Sequence, residues 1–338
     1  MTDVADRPYR LYGHIGSPYS MKMRALLRYR RIPHVVMGRI RDWAKAFAEV
    51  RVPVMPVLER PDGTFANDST PLILDLERHH AGRSVIPERE ADAFLAMLIE
   101  DLADEWLSKA MYAYRWAFPE HTLWTGRLIA FDQRFGGGRA LLESVGDEFE
   151  TRQVERNVLV GCTEANMPML MHIAERVLDA LEPNVVEQPF LFGTRPSNAD
   201  FALFGQLCQF TLDLAAIAPC QARAPYTMRW CHHVHDLSGH EGEWRGDDAA
   251  LNPAVAALLD LAGEAYLPFL LANREALESG ADRVRIEAGG LAYEGAPFKY
   301  QSRCLDELRK GYAALSDTTR KALDPTLSSH GCLEPLQA

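Results

Sequence analysis

The spacing of apolar residues changes character at Pro87, and that change limits the folds open to this chain. Before it, short β-branched and aromatic runs alternate with helical patterns. YRLYGHI from Tyr9 reads as a strand, about Tyr19 to Arg30 as a helix, HVVMG as a second strand, and the region around Ala44 to Val50 as a weak helix. VPVMPVLERPDGTF reads as a hairpin turning at Pro61-Asp62-Gly63, and Asn67-Asp68-Ser69 caps a helix from Thr70 to His80. The order βαβαββα makes a small mixed α/β unit.

After Pro87 the pattern is helical. In EADAFLAMLIEDLADEWLSKAMYAYRWAF the apolar residues keep the i, i+3, i+4 rhythm of one long helix. Further helices are expected at about 163–182, 198–212, 225–237 and 254–279. VRIEAGGLAYE then reads as a hairpin turning at Gly289-Gly290, followed by a helix from about Tyr300 to Leu315 and a tail. The expected division is an α/β domain over 1–87, an all-helical domain over 88–282, and a C-terminal extension over 283–338.

The net charge of −11 and the scattered basic residues argue against nucleic acid or an anionic membrane as partner. MTDVADRP has no apolar signal core and no run of 18 apolar residues exists, so a cytoplasmic protein is expected. The six cysteines share no C-x-x-C spacing, which speaks against a zinc ribbon or a disulfide framework, and the first 161 residues contain none. CHHVHDLSGH, residues 231–240, offers only Cys231 and His235 at i, i+4; a helix surface accounts for it better than a metal site. RFGGGRA, residues 134–140, lacks dinucleotide-binding spacing and reads as a loop.

GSPYS, residues 16–20, places Ser17 as the N-cap of the first helix, with Pro18 at its first position and Ser20 three residues on. The spacing matches a redox Cys-x-x-Cys turn from which both sulfurs are missing, so this turn cannot exchange disulfides with its own thiols. The unit resembles the cytosolic glutathione transferase family in four features. These are GSPYS at the start of helix 1, Met55-Pro56 before the third strand, Asp68-Ser69 before the last helix, and RPSNADFALFG over 195–205, whose Ser197 and Asp200 form a capping-box pattern. The resemblance covers about residues 9–270 and implies a thioredoxin-like domain followed by the family's all-helical C-terminal domain, in a homodimer.

The resemblance also implies glutathione as co-substrate and a small electrophile as partner. Ser17 would then donate a hydrogen bond to the thiolate. Such a bond to a charged group is worth roughly 1.5–3 kcal/mol, and the positive end of helix 1 adds to it. By the same resemblance Met55-Pro56 holds a cis-proline, the Met55 backbone pairs with the cysteinyl part of glutathione, and Asp68-Ser69 receives the γ-glutamyl end. Tyr112, Arg115 and Trp116 would line the second-substrate pocket, with Arg115 available to an anion. Each has a plainer reading: Ser17, Asp68 and Ser69 as helix caps, Ser20 as structural, Tyr112 and Trp116 as core, and His14 as a packed or surface histidine. Tyr12 and Tyr19 are further hydroxyl candidates. The rivals to a transferase are glutathionyl exchange, which the absence of cysteine at position 17 disfavours, and a non-catalytic binding or scaffold protein that keeps the fold.

Overall fold

The computed structural model describes residues 7–337. Strand β1 (Tyr9–Tyr12) leads into α1 (Pro18–Tyr29), then β2 (His34–Met37), α2 (Trp43–Ala48), β3 (Val57–Glu59), β4 (Phe65–Asn67) and α3 (Ser69–His79). The sheet order is β2-β1-β3-β4. β1 runs parallel to β2 and antiparallel to β3, in the register Leu11 opposite Val36 and Leu58. The βαβ crossover places α1 on one face, where Met23, Leu26 and Leu27 are wholly buried. The Met55-Pro56 peptide is cis.

The long helix is present and carries one wide turn. α4 (Glu90–Leu102) continues through a π-helical turn, Ala103–Leu107, into α5 (Ser108–Trp116). An antiparallel pair follows, α6 (Pro119–Gln133) and α7 (Arg139–Glu155), then the short α8 (Asn157–Val160) and α9 (Met167–Glu187). The glycine-rich RFGGGRA stretch is the turn between α6 and α7. Neither α6 nor α7 was expected, because each exposes much of its apolar content, including Trp124 and Phe131 of α6 and Leu141 and Val154 of α7, so no clean buried stripe marks them. The pair meets at glycines: a Cβ on Gly146 would stand 2.8 Å from the Cα of Arg127, and one on Gly126 would stand 2.6 Å from the Gly146 carbonyl.

α10 (Asn198–Phe210), α11 (Leu214–Arg223) and α12 (Pro225–Val234) continue the helical domain. The capping box is formed: Ser197 Oγ accepts from the Asp200 amide, and Asp200 accepts from the Ser197 amide at 2.8 Å. α10 lies directly against the head of α1, because Gly205 has no side chain to strike the Pro18 carbonyl, 2.8 Å from where a Cβ would stand. α13 (Pro253–Leu261) and α14 (Leu267–Ser279) form one continuous helix through a π turn at Ala262–Tyr266. That helix is long and apolar enough to cross a bilayer, with 61% of its most apolar window buried inside the fold.

The extension is packed structure. β5 (Val284–Ala288) and β6 (Leu291–Gly295) form the expected hairpin, followed by α15 (Lys299–Ala314). Residues read as a tail form α16 (Asp317–Ser329) and α17 (Leu333–Gln337) instead. Tyr293 packs edge-on against Trp106 at 5.1 Å between ring centres, Phe269 lies 4.7 Å away on the same indole, and Leu305, Leu308, Leu327 and Cys332 are buried. The tail reading failed because the apolar side of α16 is narrow, with only Leu323 and Leu327 buried.

Candidate active site at the head of the first helix

Ser17 caps α1 from an extended backbone conformation. Its amide donates to the His14 carbonyl, and its Oγ accepts from the Ser20 amide at 3.3 Å. It opens onto a cleft of about 750 Å³ between the two domains. Met55, Tyr112, Arg115 and Trp116 line the same cleft. Pro56, Asp68 and Ser69 are not part of its wall. The Met55 N–H and C=O have no protein partner among the described residues.

Two helical-domain side chains hold the loop before Ser17. Arg115 donates to the Gly16 carbonyl at 2.7 Å, and Gln209 donates to the Ile15 carbonyl at 3.1 Å. The rest of the Arg115 fork is committed to Asp213 at 2.8 Å and Gln209 at 2.6 Å. Burial pushes the Asp213 carboxyl up while Arg115 pulls against it. The expectation that Arg115 meets an anionic substrate is corrected here: its guanidinium is buried and fully engaged, and it positions the loop of Ser17.

The γ-glutamyl expectation also meets a different geometry. Asp68 has a left-handed backbone, φ 75°, and its carboxylate accepts from the Tyr300 hydroxyl of α15 at 2.8 Å. Ser69 is buried, and its Oγ takes a hydrogen bond from the Lys22 ammonium at 3.3 Å. Lys22 is itself wholly buried and is held by Glu100 at 2.5 Å and Asp104 at 2.6 Å. Burial pulls the ammonium down, but the two carboxylates outweigh it and hold Lys22 above its usual value. Burial likewise raises Asp104, against the pull of Lys22. Ser69 therefore faces a protein ion network, which the sequence did not foretell because Lys22 lies 78 residues from Glu100 and 82 from Asp104.

The tyrosine hydroxyls are occupied. Tyr12 donates to Glu59 at 2.6 Å, and burial with that contact pushes its phenol up to about 12. Tyr19 lines the cleft but donates to the Asp104 carbonyl at 2.7 Å, and burial holds its pKa well above normal. Ser20 is wholly buried and lies outside the cleft. Tyr112 donates to the carbonyl of Gln153 at 2.8 Å, tying α5 to α7.

His14, read from sequence as a packed or surface histidine, is packed in the cleft wall, while the cleft residues of α7 and its C-cap escaped the sequence reading. His14 is 7% exposed, stacks on Trp43 at 5.6 Å between ring centres, and has its Nδ1 3.9 Å from Asp132. Phe149, Arg152, Gln153 and Arg156 come from α7 and its C-cap. Their i, i+3, i+4, i+7 spacing was the signal available. The cysteines lie elsewhere and are all buried; burial pushes Cys162 and Cys208 up to about 12. In the CHHVHD stretch Cys231 is buried, and the His235 ring faces the Arg28 guanidinium at 3.2 Å.

Residues 11–84 match the family described as Glutathione S-transferase, N-terminal domain. A search of curated proteins found no match. Among solved structures the chain is similar to a glutathione S-transferase from Methylobacterium radiotolerans in complex with glutathione sulfonate, at 15% identity over 72% of this chain and 99% of that one, with a TM-score of 0.43. It is also similar to a glutathione S-transferase from Methylobacillus flagellatus with glutathione bound, at 17% identity over 67% and 93% of the two chains, TM-score 0.41. A third is a β-etherase from Sphingobium sp. strain SYK-6, at 18% identity over 68% and 95%, TM-score 0.48. Residues 11–84 are thus, by sequence, a glutathione S-transferase N-terminal domain.

Proposed function

We propose that this protein is a glutathione transferase that binds glutathione at the head of α1 and activates its thiol for attack on a small electrophile, with Ser17 as hydrogen-bond donor. One observation carries the reading. The Ser17 oxygen accepts the cap bond from Ser20, which leaves the hydroxyl proton free to donate into the cleft. Capping and thiolate binding therefore do not compete for the same part of the hydroxyl. The positive end of α1 favours the same anion, and the unpaired Met55 backbone suits an extended peptide added beside it. Glutathione would be co-substrate, and the protein would work in the cytoplasm as a homodimer.

The test is calorimetric titration with glutathione, paired with thiolate ultraviolet absorbance. Binding with thiolate present at neutral pH is expected, and Ser17→Ala should raise the bound thiol by about one to two pKa units with little loss of affinity. An unchanged thiol pKa removes Ser17 from the chemistry.

A second reading rests on the other end of the site. With Asp68 held by Tyr300 and Ser69 buried on Lys22, a binding or scaffold protein that retains the fold without turnover also fits. Absence of glutathione binding in the same titration would favour it.

A further inference from the structure

The outer half of the cleft has a charge pattern that thiol activation does not require. Trp43 and Phe47 of α2 face it from one domain, and Trp116 and Phe149 from the other, the last two with ring centres 5.9 Å apart. Arg152 and Arg156 stand on the same side of α7 as Phe149, and the Arg152 guanidinium lies 4.9 Å over the Phe149 ring. Both arginines are exposed, and neither makes a hydrogen bond or ion pair to protein among the described residues. Among the described residues no Asp or Glu lines the cleft, in a chain whose net charge is −11. The Tyr112 phenol reports the same field: burial pushes it up, while Arg156, Arg115 and Arg152 all pull it down. Arg115 is already neutralised by Asp213, so the uncompensated charge belongs to Arg152 and Arg156.

We propose that this cleft selects an aromatic substrate carrying a carboxylate or similar anionic group, its ring held by Phe47 and Phe149 and its charge by Arg152 and Arg156. The inference rests on the reading of this cleft as the second-substrate site of a transferase. Aromatic walls supply the area that binds a planar ring. Two cations at an apolar mouth add attraction for its charged group, because low-dielectric walls focus the field there. Planar guanidinium groups also match a carboxylate in two-pronged geometry.

The probes are naphthoate and its neutral counterpart naphthamide, titrated into the full-length protein by calorimetry with and without glutathione. Naphthoate should bind about tenfold more tightly at low salt, each arginine contributing roughly a two- to fivefold factor. The preference should collapse in the Arg152→Gln, Arg156→Gln double variant and shrink as salt is added. Arg139→Gln removes one positive charge from the exposed start of α7, outside the cleft, and should leave the preference intact. Equal affinities, no binding of either probe, or a preference that survives the double variant would overturn the proposal. So would a double variant that loses glutathione affinity while keeping the naphthoate preference, since the arginines would then serve the peptide. An arginine-dependent naphthoate preference in a protein that does not bind glutathione would uphold the anion site and sink the transferase reading.

Discussion

The Tyr300 hydroxyl lies 2.8 Å from the Asp68 carboxylate, joining two residues 232 positions apart. Through this contact the C-terminal extension reaches the residue that opens α3, beside the expected γ-glutamyl site. Burial and the Asp68 charge together hold the Tyr300 phenol far above its usual value, so it remains a donor at any physiological pH.

Tyr300→Phe should therefore do two things. It removes the donor from a half-buried carboxylate and should cost about 1–3 kcal/mol of stability, read by urea unfolding. It also frees Asp68, so glutathione should bind more tightly in a calorimetric titration. Weaker glutathione binding would mean that Tyr300 helps to build the site.

Arg115→Ala leaves the buried Asp213 without its partner and releases the Gly16 carbonyl. Breaking such a pair costs about 3–5 kcal/mol. Arg115→Lys should recover only part of it, because one ammonium cannot reach Asp213, Gln209 and Gly16 together. Urea unfolding measures the loss, and equal stability of the alanine and wild-type proteins would contradict it.

Burial pushes Asp101 from its ordinary 3.8 up to about 7, with the Tyr266 hydroxyl at 2.6 Å opposing the shift and the neighbouring Asp104 and Glu100 adding to it. The folded protein thus holds a proton that the unfolded chain releases. This contribution to stability is complete below about pH 4 and is lost as pH rises through 7. Asp101→Asn mimics the protonated form, so its stability should fall less than that of the wild type between pH 5 and 8 in urea titrations. Parallel pH profiles would assign the proton to another group.

Gly146→Val places a branched side chain where a Cβ already stands 2.8 Å from the Arg127 backbone. Overpacking of this kind costs about 1–3 kcal/mol. Because Phe149 and Arg152 sit one to two turns further along α7, the variant should also bind naphthoate more weakly. Thermal melting and calorimetry check the two effects, and an unchanged melt would show that the helices part freely.

The sequence by itself determined the elements whose signals are local. Ser17-Pro18 starts α1, Ser197 and Asp200 cap α10, Gly289-Gly290 turns the last hairpin, and the period-2 and period-3.6 patterns separate the α/β domain from the helical one. The Ser17 cap position was legible for the same reason, since a cap bonds only to its own first turn. The tertiary structure decided what depends on distant chain segments. It turned Arg115 from a pocket cation into a brace on Gly16, buried Ser69 on Lys22, gave Asp68 to Tyr300, and brought Phe149, Arg152 and Arg156 to the cleft on a helix that no clean apolar stripe announced. Local patterns fix the backbone through contacts a few residues apart. The partners of a buried charge are chosen by whichever segments the packed core brings within hydrogen-bond reach, and that choice is not written at any single position in the chain.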